Sequence, residues 1–568
     1  MQKALESAPN SGHTNNPYWL NNLGRAFADR FQCTGNLQDI DHAISHHQKA
    51  VESTPSGHAI LPGQLNNLGI AYYDRFRYTS DLQDIDCAIF YHQTAVESTS
   101  FNNANLPAFL NNLGNAYVFR FAYTYNLQDI DHAISHIQKA VRFTSSDHPD
   151  LPHQWNNLGN CYLGRFNHTK NLHDIDQAIS YHQKAVETTP SSHPDLPVCF
   201  TNLGTSYFHR FEHTGDLQDI DCAICHHQKA VESTPAGHAY LPSRLSYLGE
   251  SYSARFQSTN YLPDAQQSIA FYRQSAQANG PQSIRLNSAI FAAFHSSVND
   301  KPQCLNDFSL AIGLLSEVAG LEQTVHRRYV NLYHHQSGLV QSAVTLALYY
   351  DKPDLALEWL EQGRCLVWNQ LNQLHTPIDD LRVRSSSLAD RFVIVASALK
   401  SYGTRFSSIL SPDSALTEHI HAQDSTRKHT ILAAEYKQLL KEIRGLPDFH
   451  NFLQPPNATD LLSSLPSDGP VIIFNIDKLK CDALALIAGI EEPLHIPLKD
   501  FSLFDAVKLW SRLQSNLPKQ RQEENGDRAG HPRTFPNLHF IFVLKELWEK
   551  VVHPVLKELG YSVSSSNY

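Results

Sequence analysis

The chain has 568 residues, and its formal net charge of −11 at pH 7 provides no basic field that would favour nucleic acid. No apolar run approaches the roughly 18 residues that a membrane span needs, and the first residues lack the apolar core of a signal peptide. The nine cysteines form no dense framework, which favours free thiols in a reducing compartment. We therefore expect a protein of the cytoplasm or nucleus, with no membrane, nucleic-acid or cofactor partner.

The first half of the chain repeats one pattern six times with a period of 45 residues. Each copy contains the phrase N-L-G or Y-L-G, whose glycines are Gly24, Gly69, Gly114, Gly159, Gly204 and Gly249. A proline stands seven residues before each of these glycines, at a position that suits the first turn of a helix. A fixed period of this length is the signature of a stacked repeat array.

Each copy reads as two helices. In the second copy, Leu65, Leu68 and Tyr72 form one apolar stripe of a helix that ends near Arg75-Phe76. Asp81 then suits the N-cap of a second helix, as do its counterparts in the other copies. We expect an antiparallel pair whose apolar faces are buried only by stacking on the next copy.

This pattern resembles the tetratricopeptide repeat, which has the block W-x2-L-G-x2-Y followed by A-x3-F and P within 34 residues. The matching residues of the fourth copy are Trp155, Leu158, Gly159, Tyr162, Ala178, His182, Ala185 and Pro190. The resemblance implies a mainly α protein with a right-handed α-solenoid over residues 1–280. Because Gln2–Ser7 matches Gln48–Ser53, residues 1–13 are expected to be the remnant of a preceding repeat.

A row of asparagines on the first helices is the candidate binding site. It comprises Asn22, Asn67, Asn112, Asn157 and Asn202, with Asn115 and Asn160 one turn further along two of the helices. In tetratricopeptide arrays the first helix lines the concave groove. The N-N-L phrase is similar to that of kinesin light chain repeats, whose asparagines contact the backbone of an extended peptide. An amide suits that role because it offers donors and an acceptor. The alternative is that these amides bridge neighbouring helices within the solenoid.

The recurring Arg-Phe pair has a simpler interpretation. An aspartate follows the arginine after 11 residues in the first five copies, as Asp41 follows Arg30, Asp86 follows Arg75 and Asp131 follows Arg120. We expect an ion pair within each repeat, and the alternative is a contact with a ligand.

Histidine and cysteine at helical i, i+4 spacing raise the question of a metal. The pairs are His42 with His46, His132 with His136, and Cys222 with His226. Two zinc ligands fit such a spacing. No third or fourth ligand follows at a fixed interval, and the copies vary, so no metal site is predicted.

The second half of the chain contains two regions that differ in their predicted secondary structure. Residues 281–449 remain helical with degenerate repeats, including the stretches Ser337–Tyr350 and Asp354–Leu374. Residues 450–568 read as the beginning of a parallel α/β domain. Its predicted elements are strands at Val471–Phe474, Ala483–Ile487 and Leu494–Leu498, helices near Phe504–Leu513 and Leu544–Leu559, and a surface loop at Pro518–Pro536.

Four phrases in this half resemble fungal proteins in which tetratricopeptide repeats precede a CHAT domain, a caspase- and separase-like peptidase fold. They are Leu357–Arg364, Gly469–Ile472, Cys481–Leu484 and Pro554–Leu556. The resemblance implies that the catalytic His and Cys would follow strands beyond Tyr568, so the chain is expected to be a fragment. Cys481 and His495 fall elsewhere on the strands and are not expected to form a dyad.

Three functions remain open from the sequence. The first is a non-catalytic scaffold that binds a protein or extended peptide in the concave groove, with an incomplete, inactive peptidase-like domain. The second is a caspase- or separase-type cysteine endopeptidase whose catalytic half is missing from this sequence. The third is a structural or regulatory hub.

Overall fold

The computed structural model describes residues 16–299, 301–318, 338–363, 378–405, 432, 435–450, 452–454, 456–523 and 538–561. These residues fall into two compact units, one ending at Gly280 and the other beginning at Pro281. The predicted remnant at residues 1–13 lies outside the described residues. No helix within the described ranges is long and apolar enough to cross a membrane.

The first unit is an α-solenoid of paired antiparallel helices, as the period predicts. Each helix packs mainly on its pair partner and then on the next pair. The helices are α1 (Pro17–Thr34), α2 (Leu37–Glu52), α3 (Leu61–Thr79), α4 (Leu82–Glu97), α5 (Leu106–Thr124), α6 (Leu127–Phe143), α7 (Leu151–Thr169), α8 (Leu172–Thr188), α9 (Leu196–Thr214), α10 (Leu217–Glu232), α11 (Leu241–Thr259) and α12 (Leu262–Gln277).

Local signals set the ends of these helices. Prolines occupy the first turn of each first helix. The predicted N-caps of second helices are confirmed, since the Asp81 side chain accepts a hydrogen bond from Gln83 N–H, and Asn126 does the same for Gln128. Each first helix runs three residues beyond the Arg-Phe pair, and the residue that follows its last one has a positive φ, for example Gly35 or Lys170.

A large side chain lies against a glycine inside each of the six helix pairs of the first unit, and in five of them it is a ring. A Cβ added to Gly159 would come within 2.4 Å of His182 Cδ2, and one added to Gly114 would come within 2.4 Å of Ile137 Cγ1. His47, His92, His227 and Tyr272 occupy the same place against Gly24, Gly69, Gly204 and Gly249. The invariant glycine of the repeat therefore exists because the two helices approach too closely for a side chain.

The arginine of the Arg-Phe pair joins two repeats rather than one. Arg75 binds Asp84 of its own repeat through Nε and Nη2, at 2.9 and 2.5 Å, and its Nη1 donates to Asp41 of the preceding repeat at 2.8 Å. The expected pairing of Arg30 with Asp41 is therefore wrong. Arg30 binds Asp39, because that residue lies in the first turn of α2 opposite the end of α1.

The same arrangement recurs at Arg120, Arg165, Arg210 and Arg255, and we call these residues and Arg75 the clamp arginines. Each guanidinium also lies over the ring of the tyrosine three residues before it, at 5.3–5.5 Å from the ring centroid. The carboxylate of the own repeat is buried, whereas that of the preceding repeat is more exposed. The clamp therefore joins the end of a first helix to the start of its own second helix and to the start of the second helix in the preceding repeat.

The second unit begins with further helices, and its sheet follows them. The helices are α13 (Gln282–Asn299), α14 (Lys301–Val318), α15 (Leu339–Tyr349), α16 (Pro353–Gly363), α17 (Asp379–Arg384), α18 (Ser386–Arg405) and α19 (Ala458–Ser463), with a further helical stretch at 435–444. The predicted stretches at 337–350 and 354–374 match α15 and α16, and residues 364–374 lie outside the described ranges.

The sheet consists of β1 (Val471–Ile476), β2 (Cys481–Leu486) and β3 (Leu494–Pro497), in the order β1-β2-β3. Both pairs are antiparallel, so the expectation of a parallel sheet is wrong. The physical reason is the shortness of the connections, because a parallel neighbour would need a crossover of a dozen or more residues.

Three segments follow β3. They are α20 (Leu503–Glu523), α21 (Leu538–Leu547) and α22 (His553–Glu558), with a π-helical turn at Trp548–Val552 between the last two. Residues 518–523, predicted as a loop, continue α20, and residues 524–536 lie outside the described ranges. The helices pack on one face of β2, which fits a partial α/β domain.

Helix α15 lies against the other face of the sheet through polar contacts. Asn475 donates to Thr345 Oγ1 at 2.9 Å, and Ser342 donates to Asp477 at 3.0 Å. Contacts therefore cross the predicted boundary at residues 449 and 450.

We predict that Arg165→Gln lowers the free energy of unfolding by about 2–3 kcal/mol. The substitution leaves the Asp174 carboxylate, which is 2% exposed, without its cation. Arg142→Gln is the matched control, because Arg142 is exposed near the end of a second helix. Urea denaturation followed by circular dichroism should separate the two variants, and equal midpoints would contradict the clamp.

Candidate binding face

The predicted asparagines lie on the first helices as a regular row, and we call the surface formed by Asn22, Asn67, Asn112, Asn157 and Asn202 the asparagine face. Asn22 is exposed and the other four are half-buried. Each of the four donates one N–H to an asparagine of the preceding repeat. The acceptors are Asn21, Asn66, Asn111 and Asn156, and the distances are 3.1, 3.1, 3.1 and 2.9 Å.

Sequence reasoning missed the role of these acceptor asparagines. Asn66, Asn111 and Asn156 are buried, at 6–7% exposure. The Oδ1 atom of Asn66 also lies 3.0 Å from His92 Nδ1, and that of Asn21 lies 3.0 Å from His47 Nδ1. The two consecutive asparagines of the N-N-L phrase could have indicated this role. The first is buried and accepts a bond from the next repeat, and the second is half-exposed and donates to the preceding repeat.

The asparagine face keeps unused hydrogen-bonding capacity. Among the residues that the structure describes, no partner reaches Oδ1 of Asn67, Asn112 or Asn202, and each has a second N–H. Asn157 differs, since its Nδ2 also lies 3.1 Å from His153 Nε2. The four bonds bridge neighbouring helices as the alternative interpretation expects, whereas contact with a peptide stays a prediction.

Asn115 and Asn160 have unequal surroundings. Asn160 Oδ1 lies 3.1 Å from His182 Nε2, and His182 Nδ1 lies 2.8 Å from Ser206 Oγ in the next repeat. In the repeat of Asn115 the corresponding ring position is occupied by Ile137, which has no polar atom to offer. Asn160 is therefore fixed by its own repeat.

Two depressions flank the row where the first helices begin. One, of about 290 Å³, is lined by residues that include Tyr18, Asn21, Asn67 and Phe109. The other, of about 480 Å³, is lined by His153, Asn156, Thr189 and Cys199 among others. Both combine apolar walls with amide groups.

The histidines under the face are uncharged near neutral pH. Burial lowers the pKa of His92 and His227 to about 3, and that of His182 to about 4. All three are at most 2% exposed. The base of the asparagine face is therefore polar but neutral.

The clamp arginines and the histidines at i, i+4 spacing make contacts with other residues of the repeats. The rings of His136 and His226 stack on Tyr117 and Tyr207 at 5.9 and 5.8 Å, as Tyr181 stacks on Tyr162 in another copy. Cys222 and Cys225 have C-x-x-C spacing on α10, and both thiols are free. Within the described ranges, no group of three His, Cys, Asp or Glu residues could hold a metal ion.

Cys481 and His495 lie on opposite faces of the sheet. The Cys481 side chain belongs to the core on the face covered by α20 to α22, and burial raises the pKa of its thiol. His495 pairs with Leu484 in the register, and its Nε2 lies 2.8 Å from Asp482 Oδ1. Because successive residues of a strand point to opposite faces, the imidazole cannot reach the thiol.

Comparisons with known proteins concern the fold alone. No protein-family profile matches the chain, and no curated protein sequence matches it. A tetratricopeptide repeat protein from Parabacteroides merdae is 12% identical, with a TM-score of 0.34 over 52% of this chain and 93% of that one. The C-terminal part of a repeat protein from Cytophaga hutchinsonii is 17% identical, with a TM-score of 0.33 over 51% and 95%.

A third solved structure contains the nearly identical TPR-like repeats of a putative kinesin light chain from Podospora anserina. It is 14% identical, with a TM-score of 0.29 over 38% of this chain and 98% of that one. The assignment of the fold therefore rests on the helix pairs themselves.

We predict that the repeats lose stability as the pH falls from about 6.5 to about 4. An unfolded histidine titrates near 6.5, whereas the buried ones titrate near 3–4, so the unfolded chain binds more protons in this window. The stabilisation from burying the neutral rings is complete above pH 6.5 and is lost as the pH falls toward the folded pKa.

The matched variant is His92→Ile, because Ile137 already fills the same place in another copy. The melting temperature of this variant should depend less on pH between 6.5 and 4 than that of the wild type. Identical pH profiles would show that His92 titrates normally in the folded protein.

Proposed function

We propose that this chain is a non-catalytic scaffold whose repeats bind an extended segment of another protein across the asparagine face. The observation that carries the proposal is the regular row of half-exposed amides, three of which keep Oδ1 and one N–H unused by any residue that the structure describes. Such a row can bond the backbone of an extended peptide at successive positions whatever the peptide's side chains.

The rigidity of the row supports the proposal. Four of the five amides are held by a bond to the preceding repeat, and each of those four repeats is held by a clamp arginine. A peptide that binds to groups already fixed in place loses less free energy to ordering of the receptor. The neutral base of buried histidines adds no net charge that would select an acidic or basic ligand.

In the family relation that we propose, residues 450–568 correspond to the first part of a CHAT-type domain of a fungal protein. Support comes from the phrases in the sequence and from the order of three strands followed by helices. We place the protein in the cytoplasm or nucleus on the basis of its free thiols and charge.

To test the binding function, random dodecamer peptides are selected on the full chain and their affinities are measured by fluorescence anisotropy. The triple substitution of Asn67, Asn112 and Asn157 by alanine removes groups that would make three hydrogen bonds, each contributing about 0.5–1.5 kcal/mol. We expect the affinity to fall by one to several orders of magnitude.

Melting of the same triple variant separates the two interpretations of the row. The ladder bonds are lost in any case, so a moderate fall in melting temperature is expected. Peptide binding that survives the substitution, or a selection that yields no peptide, would contradict the proposal. Substitution of the exposed Gln83 on α4 serves as the control.

We predict that the full chain hydrolyses no peptide bond of a library with Arg or Lys before the scissile bond. The thiol of Cys481 is buried and its pKa is raised, and His495, the histidine on the described strands, faces the other side of the sheet. Cleavage that disappears in Cys481→Ala would overturn this conclusion. Cys225→Ala, which changes an exposed thiol, is the control.

A further inference from the structure

One depression beside the asparagine face is larger than its counterpart in another part of the array. It has a volume of about 480 Å³ and lies between the fourth and fifth repeats. The corresponding depression between the second and third repeats measures about 290 Å³. The two places are related by the period of the chain, so the difference reflects their side chains. We call the larger one the Cys199 pocket, and its lining includes Asp150, Asn156, Thr189, Asp195 and Cys199.

The small side chain of Cys199 accounts for the larger volume. In the second, third, fourth and sixth repeats the equivalent residues are Gln64, Phe109, Gln154 and Arg244, all of which are longer and are 3–6% exposed. Each of these side chains fills the space between its own helix and the preceding repeat. The Cys199 pocket instead extends to Thr189, directly after α8, whereas Phe109 forms a wall of the smaller depression.

The filled sites show which polar atoms border this space. Gln64 Oε1 lies 2.7 Å from Thr54 Oγ1, and Gln64 Nε2 donates to the carbonyl of Pro17 at 3.3 Å. In the sixth repeat, Arg244 Nη1 donates to Thr234 Oγ1. A threonine at the end of the preceding repeat therefore bonds the tip of the side chain that occupies the space.

In the Cys199 pocket this threonine can accept a hydrogen bond. Thr189 Oγ1 donates to the carbonyl of Ala185 at 2.6 Å, and Thr234 Oγ1 makes the same bond in its own repeat. The oxygen of Thr234 then accepts from Arg244. The contact of Thr189 Oγ1 with Cys199 Sγ is 3.7 Å long, and a thiol is a weak donor. The floor of the pocket therefore suits a strong donor.

The rim of the Cys199 pocket carries negative charge. Asp150 and Asp195 stand directly before α7 and α9, and neither carboxylate caps its helix. His193 accepts the Asp195 N–H at 3.2 Å through Nδ1, so in this state its ring adds no positive charge beside that carboxylate. Burial raises the pKa of the Cys199 thiol, and the charge of Asp195 raises it further, so the negative potential extends to the floor of the pocket.

Charge and shape together favour arginine over an aromatic ring. At the smaller depression, where Phe109 fills the space, the residues equivalent to the two aspartates are Ile60 and Asn105, which carry no charge. The Cys199 pocket combines its carboxylates with the apolar walls of Pro152 and Val198, which suit the aliphatic stem of an arginine. A guanidinium offers five N–H donors to the acceptors of the floor and the rim.

We propose that the Cys199 pocket binds one arginine side chain of the segment that crosses the asparagine face. The inference rests on the proposed function, because the pocket adjoins that face: Asn156 lines the pocket and accepts the bond of Asn202 at 2.9 Å. The guanidinium takes the place that Arg244 fills in the sixth repeat, where it bonds Thr189 Oγ1 and faces Asp195. The amides bind the backbone of the segment whatever its sequence, whereas the pocket selects one residue and fixes the register of the segment on the repeats.

The test uses the full chain and fluorescein-labelled dodecamer peptides selected on it. We expect the selected peptides to share an arginine at one aligned position. Replacement of that arginine by citrulline keeps the shape of the side chain and removes its charge. The exchange should weaken binding at least tenfold in fluorescence anisotropy.

Filling the pocket from within should have the same effect as removing the arginine. Cys199→Gln gives the fifth repeat the residue that the second and fourth repeats carry, so the fold should accommodate it. This variant should bind the arginine peptides at least tenfold more weakly, with little further loss for the citrulline peptides because both changes remove one contact. Cys225→Gln makes the same exchange at an exposed thiol of α10 and should bind as the wild type does.

A second variant tests the charge without changing the volume. Asp195→Asn gives the fifth repeat the residue that Asn105 provides in the third. It should weaken the arginine peptides at least threefold and leave the affinity of the citrulline peptides unchanged. Equal effects on both peptides would overturn the assignment of a cation to the pocket. Circular dichroism melting of each variant verifies that the repeats are folded.

The outcomes separate this inference from the proposed function. Peptides that require the asparagines but share no arginine, or that bind Cys199→Gln as tightly as the wild type, would refute the pocket and leave the asparagine face standing. A shared aromatic or aliphatic residue would refute the chosen chemistry. Arginine peptides that respond to Cys199→Gln but not to the triple asparagine substitution would keep the pocket and contradict the asparagine face. A selection that yields no peptide would contradict both.

Discussion

The joint between repeats depends on one guanidinium that binds two carboxylates from different helix pairs. The buried carboxylate comes from the same repeat and is held through two parallel hydrogen bonds, a geometry that arginine can provide and lysine cannot. The remaining nitrogen reaches back to the previous repeat. Because the three groups lie at one edge of the stack, the clamp sets the distance between successive pairs. The asparagine ladder and the buried rings then have to match that distance.

The sequence predicts the helix pairs well because their signals are local. Proline in the first turn, an Asn or Asp N-cap and an apolar stripe are each properties of a few neighbouring residues, and the 45-residue period repeats them. It predicts the partner of Arg30 incorrectly for the opposite reason. Asp39 and Asp41 are both on α2, and which one faces the end of α1 depends on the rotation of the helix. That rotation is decided by packing rather than by spacing along the chain.

The candidate site shows the same division. The sequence shows the row of asparagines, but it does not show which amide of each N-N pair is buried. Asn66 turns inward because His92 and Asn112 both offer it donors, and those residues lie on two other helices. In the second unit, the strands were recognised from apolar runs. Apolar runs carry no information on strand direction, which follows instead from the connections, because these are too short for a parallel crossover. The antiparallel register also places His495 on the face of the sheet opposite to Cys481.

The clamp also gives the array a direction and a unit of length. Each of the first five repeats carries an aspartate that binds the arginine of the next repeat, so each joint is completed by two unlike halves. A gene that gains or loses a whole multiple of 45 codons between two clamps would leave every remaining joint complete, whereas any other insertion would place unlike surfaces against each other. The structure therefore permits duplication by unequal recombination in this chain only in steps of 45 residues. The near-identity of its second helices is what such a history would leave.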